Sequence, residues 1–254
     1  MAAGAYRPLA VAMPLFTTAA APTPQATVDA WKRLAPDGPP MTLAETGKGS
    51  FDIRVAGRSV LGIHIGKPIP STEAIDAVSM SWMWKGEETP VREHQSHAIV
   101  TAPGVSAVDA AWDVTRVCAA MLAAAGPTAA ALYWGAARQV HRPELAIGFG
   151  SDKPMPLPLW MGITISAASS AGPFSAATHG LEAFGHREFE IIASRTSIGD
   201  IRSTLFDAGA YVLKNGPILV DGQTFDPDAN THWKVTHEPS KLVPGRQIIC
   251  LQMP

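Results

Sequence analysis

Charge is scarce in this chain of 254 residues. Asp, Glu, Lys and Arg make up 17% of it, below the roughly 25% typical of soluble domains. No run of Lys and Arg forms a basic stripe, and the formal net charge is −2. Nucleic acid is therefore not an expected partner, because phosphate binding needs concentrated positive charge. Cysteine is nearly absent too. Cys118 and Cys250 stand far apart with no framework of spacings, which points to a reducing compartment and leaves a single bridge open. No apolar run approaches the roughly 18 residues needed to cross a bilayer, so no membrane span is expected. The familiar catalytic signatures are missing as well. There is no Gly-x-Ser-x-Gly elbow and no Gly-x-Gly-x-x-Gly where a strand meets a helix. Gly62 to Pro68 has the glycines and lysine of a phosphate loop but neither its spacing nor a Ser or Thr after Lys67.

What the chain has is hydrophobic content, 46% of its residues, and alanine, glycine and proline in place of charge. That suffices for one large domain or two small ones without staples. Leu9 to Phe16 reads as a first core strand. The alternative, a weak secretory signal, suffers from a lone Arg7 and from Pro14 inside the apolar run. Three helices announce themselves by their caps. Thr23-Pro24 starts one whose core face carries Val28, Trp31 and Leu34. Ser106 with Asp109 starts a second, lined by Val108, Ala111, Trp112, Thr115, Cys118 and Leu122. Ser197 with Asp200 starts a third, lined by Ile198, Ile201, Leu205, Ala208 and Val212 and stopped by Asn215-Gly216-Pro217. A shorter helix is expected over Ser71 to Val78. Strands are expected at Met41–Glu45, Ser50–Val55, Ser59–Ile65, His97–Thr101, Ala130–Trp134, Leu159–Ala167, Ile218–Val220 and Gln247–Gln252. Met80, Trp82 and Trp84 alternate as on a strand. Thr178 to Ser194 reads as one long strand or a bent hairpin, and Pro143 to Pro158 as a long loop.

The polar stretch Lys85 to Gln95 is the expected boundary between an N-terminal half (1–90) and a C-terminal half (91–254) packed as one compact unit. Val28-Asp29-Ala30-Trp31 and Val108-Asp109-Ala110-Ala111-Trp112 each follow a strand and a proline-containing loop. Both halves then read strand, loop, helix, strands. The expected class is α+β, with antiparallel or mixed sheets, helices packed on one face, and two related ferredoxin-like halves as a reading the pattern allows.

Chemistry has four candidate seats. His179 and His186 flank Glu188 and Glu190, whose spacing of two places both carboxylates on one strand face, with Phe189 and Ile191 on the other. Such a group could do acid–base work or hold a metal. The plainer alternative leaves the glutamates solvated or paired with Arg187 or Arg195. His94 and His97 are three apart in a loop with no evident third ligand, so no metal site is expected. Cys118 and Cys250 read as small core residues. Trp82, Trp84, Trp134, Trp160 and Trp233 are either core or an exposed binding patch, since tryptophan is frequent at interface hot spots. No cofactor is expected.

His97-Ala98-Ile99-Val100, Cys118-Ala119-Ala120-Met121-Leu122, Leu132-Tyr133-Trp134, Leu157-Pro158-Leu159-Trp160, Thr178-x-Gly180-Leu181, Phe184-Gly185-x-x-Glu188-Phe189-Glu190, Tyr211-Val212-Leu213 and Asp221-Gly222-Gln223-Thr224 occur in that order. Together they resemble a bacterial family known as domain of unknown function 4261, over roughly residues 95 to 254. The resemblance brings no catalytic residues. Small families of this kind often stand beside secreted toxins, an analogy of context alone. The expected function is a non-enzymatic protein-binding module, an immunity or accessory protein of a toxin or type VI secretion system. Its partner would be a cognate toxin or secretion-system protein and its place the cytoplasm. The alternative is a small hydrolase or metal-dependent enzyme using His179, His186, Glu188 and Glu190.

Overall fold

The computed structural model describes residues 10–103, 106–151, 154–167, 169–228 and 231–253. The chain divides at Leu159/Trp160 into two compact units. The Lys85–Gln95 stretch, expected as the boundary, lies inside the first.

Among the described residues the first unit holds seven strands: β1 (Val11–Phe16), β2 (Met41–Thr46), β3 (Ser50–Val55), β4 (Arg58–Ile65), β5 (Ser96–Thr101), β6 (Ala129–Trp134) and β7 (Gln139–His141). They form one antiparallel sheet in the order β2-β3-β4-β5-β1-β6-β7. The apolar run at the start of the chain is thus a central strand. Its ladder to β5 pairs Val11 and Ala12, then Leu15 and Phe16. The gap falls at Met13-Pro14, where Pro14 has no N–H to donate.

Helices α1 (Pro24–Leu34) and α4 (Ala107–Ala125) follow β1 and β5 and pack against each other. The two look-alike strand–helix segments therefore share one sheet. Thr23 and Ser106 cap these helices through their hydroxyls, as the sequence indicates. Helix α5 (Pro143–Ser151) occupies the stretch expected to be loop, and α6 (Leu157–Trp160) follows it. Helix α5 packs closely on α4. A Cβ on Gly150 would stand 2.3 Å from the Ala119 methyl, so two small residues permit the approach. Proline sits at the first position of α5, where a missing donor costs nothing, and so it opened a helix where a loop was expected.

Helices α2 (Glu73–Met80) and α3 (Thr89–Arg92) cover part of the opposite face. There Ala74, Ala77 and Val91 meet Leu15, Ala131, Tyr133 and Val140 in one apolar cluster. Met80 ends α2, so the alternation Met80-Trp82-Trp84 is a turn and not a strand.

The second unit holds β8 (Gly162–Ala167), β9 (Phe174–His179), β10 (Phe189–Ser194), α7 (Ile198–Asn215), β11 (Thr224–Asp228), β12 (Thr231–Pro239) and β13 (Gln247–Gln252). The sheet order is β11-β12-β13-β10-β9-β8. The β10–β13 pair is parallel and the other pairs are antiparallel. Helix α7 buries Ile201, Leu205, Ala208 and Val212 and packs across β8, β9, β10 and β11, whereas Ile198, expected on the same face, stands in the first turn and is exposed. Both units are α+β. Ile218–Val220, expected as a strand, lies in the irregular connection before β11. Among the described residues no helix is long and apolar enough to cross a membrane.

Candidate functional site

Thr178 to Glu190 folds as a bent hairpin. Strand β9 ends at His179, a tight turn runs over Leu181–Phe184, and β10 begins at Phe189. Phe189 and Ile191 are buried on the core face. The glutamates take the other face, as the period of two requires. They are neither solvated nor paired with Arg187 or Arg195, the plainer expectation: Glu188 is 3% exposed and Glu190 1%.

Their partners define their work. Glu188 sits inside the hairpin turn. The Thr178 hydroxyl donates to Oε2 at 2.6 Å. The Gly180 and Glu182 amides donate to Oε1 at 2.8 and 3.1 Å. Thr178 Oγ1 in turn accepts from the Phe189 amide at 2.8 Å. One carboxylate and one hydroxyl thus tie the end of β9 to the start of β10. Burial pushes the Glu188 carboxyl above its ordinary range, and the hydrogen bonds from Thr178, Glu182 and Gly180 pull it partly back.

Glu190 does the same for another loop. It accepts from the Ser240 hydroxyl and from the Lys241 amide. Ser240 Oγ accepts from the amides of Leu242 and Val243 at 3.2 and 2.6 Å. The connection from β12 to β13 is therefore folded around the Glu190 carboxylate. Buried carboxylates saturated by backbone donors are anchors. Neither keeps both oxygens open to a substrate.

The histidines do not complete a reactive group. His179 is buried and its Nε2 meets Thr164 Oγ1 at 3.0 Å. His186 is half-buried, and burial lowers its pKa. Among the described residues no group of three or more His, Cys, Asp and Glu is disposed to hold a metal. His94 accepts from the Ile69 amide at 2.8 Å, and its Nδ1 meets the Val91 carbonyl at 2.6 Å. That fixes a neutral ring, consistent with a pKa lowered mainly by burial. His97 Nδ1 meets the Lys67 carbonyl at 2.9 Å. Both rings brace loops.

The tryptophans do not assemble into one exposed patch. Trp134, Trp160 and Trp233 are fully buried core residues, Trp84 is half-buried, and Trp82 is 38% exposed. Cys118 and Cys250 are free and buried.

Sequence reasoning missed two buried polar features. Asp113, fully buried on α4, receives Nε and Nη2 of Arg58 at 2.6 and 2.8 Å, with Arg116 at 3.5 Å. An aspartate within the apolar stripe of a helix was the available signal. His141 is fully buried in β7, and neither ring nitrogen has a hydrogen-bond partner among the described residues. Its ring lies edge-on to Phe149 at 6.0 Å. Nothing in the sequence marks it.

Residues 177–252 match the model of a family described as a domain of unknown function, DUF4261. The matched segment runs from β9 to the end of β13 and contains both anchoring glutamates. The expected resemblance from residue 95 is thus found in its C-terminal part. No curated protein and no solved structure matches the chain.

Proposed function

We propose that the protein acts by binding another protein and not by catalysis. The observation that carries this reading is the occupation of Glu188 and Glu190 by loop donors. It leaves the expected His179/His186/Glu188/Glu190 group without a free acid–base pair. In its finer form the reading is an immunity or accessory protein of a bacterial toxin or secretion system, working in the cytoplasm on a cognate partner.

The first unit offers a surface for it. Leu61 and Ile63 on β4 are 41% and 46% exposed. In register they stand beside Thr101 and Ile99 of β5, on the sheet side that α2 and α3 cover over β1, β6 and β7. Apolar side chains in a row on an uncovered sheet face suit protein contact. The test is crosslinked co-purification from the native host, with wild-type chain and a Leu61→Asp, Ile63→Asp variant side by side. A partner enriched by the wild type and lost with the folded variant is expected. Recovery of no stable partner would overturn the reading.

A further inference from the structure

His141 lies in a lightly held part of the first sheet. Strand β7 has three residues and is an edge strand, hydrogen-bonded to β6 alone. Its alternation sends Val140 to the apolar cluster under α2 and α3 and His141 to the other face, beside Phe149 of α5. Helix α5 follows β7 with only Arg142 between them. Of its nine residues just Ala146 and Gly150 are buried. A methyl group and a glycine remove little apolar surface from water, so packing holds α5 on α4 weakly. Short edge strands and lightly packed helices are segments that open at less than the cost of global unfolding.

The buried ring adds a charge-dependent load to this segment. Neither of its nitrogens has a partner among the described residues, and Oε1 of Gln139, two residues earlier, has none either. A neutral imidazole tolerates such a site at modest cost, whereas a buried imidazolium without a counter-charge does not. The titratable groups on the elements packed against β7 are Tyr133 of β6 and Glu73 and Asp76 of α2. Helix α4, beneath α5, brings Asp109, Asp113, Arg116 and Cys118, and Glu144 stands in the first turn of α5. Arg138 and Arg142 bracket the strand, and Arg142 is taken up by the Lys85 carbonyl and by Glu144. None of these groups compensates His141: burial alone sets its pKa.

We propose that β7 and α5 form an acid-released latch. Protonation of His141 shifts them toward an open state that hydrates the imidazolium and uncovers Leu132 of β6 and the Ala119 side of α4, while β1 and β5 stay paired. No strand lies beyond β7 in the sheet, so its release breaks no other ladder than that to β6. The open state holds the ring near its ordinary pKa of about 6.5 and the closed state holds it near 4. Opening is therefore insensitive to pH above about 7 and is favoured increasingly below about 6.5, reaching about thirtyfold at pH 5. The inference is independent of the protein-binding reading.

Amide hydrogen exchange on the purified full chain tests it, in the regime where closing outpaces exchange, with protection factors compared at about pH 7.5 and pH 5. Amides of β7 and α5, Val140 and Ala146 among them, are expected to share one protection factor, lower than that of β1 and β5. It should fall about thirtyfold between the two pH values in the wild type and stay constant in His141→Leu. The wild-type comparison needs no variant. Equal protection of β7–α5 and of β1 and β5 would make the opening global and overturn the latch. So would β7–α5 protection that ignores pH, or an acid loss that persists in folded His141→Leu.

Discussion

His141 shows what a single buried ring does to this protein. Its two nitrogens lack partners among the described residues, and burial pushes its pKa down to about 4. The unfolded chain holds the same ring near pKa 6.5. The folded state thus disfavours the charged form. The associated stability is complete above about pH 6.5 and is lost as the pH falls toward 4, by roughly 3 kcal/mol in all. Urea titrations at neutral and mildly acidic pH should show that loss. His141→Leu should abolish this component and raise neutral-pH stability by about 1 kcal/mol, since an unbonded polar group is replaced by an apolar one of similar size. An unchanged acid sensitivity in the variant would mean that another group titrates. Glu188 behaves in the opposite sense as an anchor. Glu188→Ala leaves the Thr178 hydroxyl and two amides without their acceptor and should cost about 3 kcal/mol in a urea titration. Thr178→Val keeps the shape, removes the bridge to Phe189, and should cost about half as much.

At the scale of elements, the β3–β4 hairpin is locked to α4 by Arg58 and Asp113. The pair is asymmetric: the Arg58 side chain is 35% exposed and the Asp113 side chain fully buried. Arg58→Ala strands a buried carboxylate with only Arg116 at 3.5 Å and should cost about 3 kcal/mol. Asp113→Asn leaves Arg58 free to turn into water and should cost less, about 1–2 kcal/mol. Equal losses in chemical denaturation would refute the asymmetry. The same hairpin has a steric lock. A Cβ on Gly62 would stand 2.0 Å from Phe51 Cζ, so Gly62→Ala should cost about 1–3 kcal/mol.

Elements with a local signature were legible in the sequence. Thr23, Ser106 and Ser197 cap the helices they were expected to cap, because capping is decided within a few residues. The strands Ser50–Val55 and Gln247–Gln252 have the expected bounds. Strand β12 was not legible: Lys234, His237 and Glu238 break its apolar pattern, and its partners β11 and β13 create the strand. Pro143 misled because the same residue that closes a loop also opens a helix. The hairpin at Thr178 was visible as a motif, and the spacing of its carboxylates gave their shared face. Their partners were not visible. Gly180 and Glu182 act through backbone amides, which carry no side-chain signature, and Ser240-Lys241 lies 50 residues beyond Glu190.

For the whole molecule, the two units carry separate sheets. The first presents Leu61 and Ile63 outward. Aspartate at both positions should change stability by less than about 1 kcal/mol while, on the proposed protein-binding function, abolishing co-purification of a partner. A large loss of stability would show that these residues serve the fold. Each unit also encloses one thiol, Cys118 in the first and Cys250 in the second. Burial raises the pKa of both, Cys250 to about 11, so neither is a thiolate at neutral pH. A thiol reagent should leave the native chain unmarked and mark both residues in concentrated guanidinium. The two cysteines are therefore tamper seals. Pulse labelling with such a reagent, followed by peptide mass, records which unit has been opened, and when, in the wild-type chain with no residue changed.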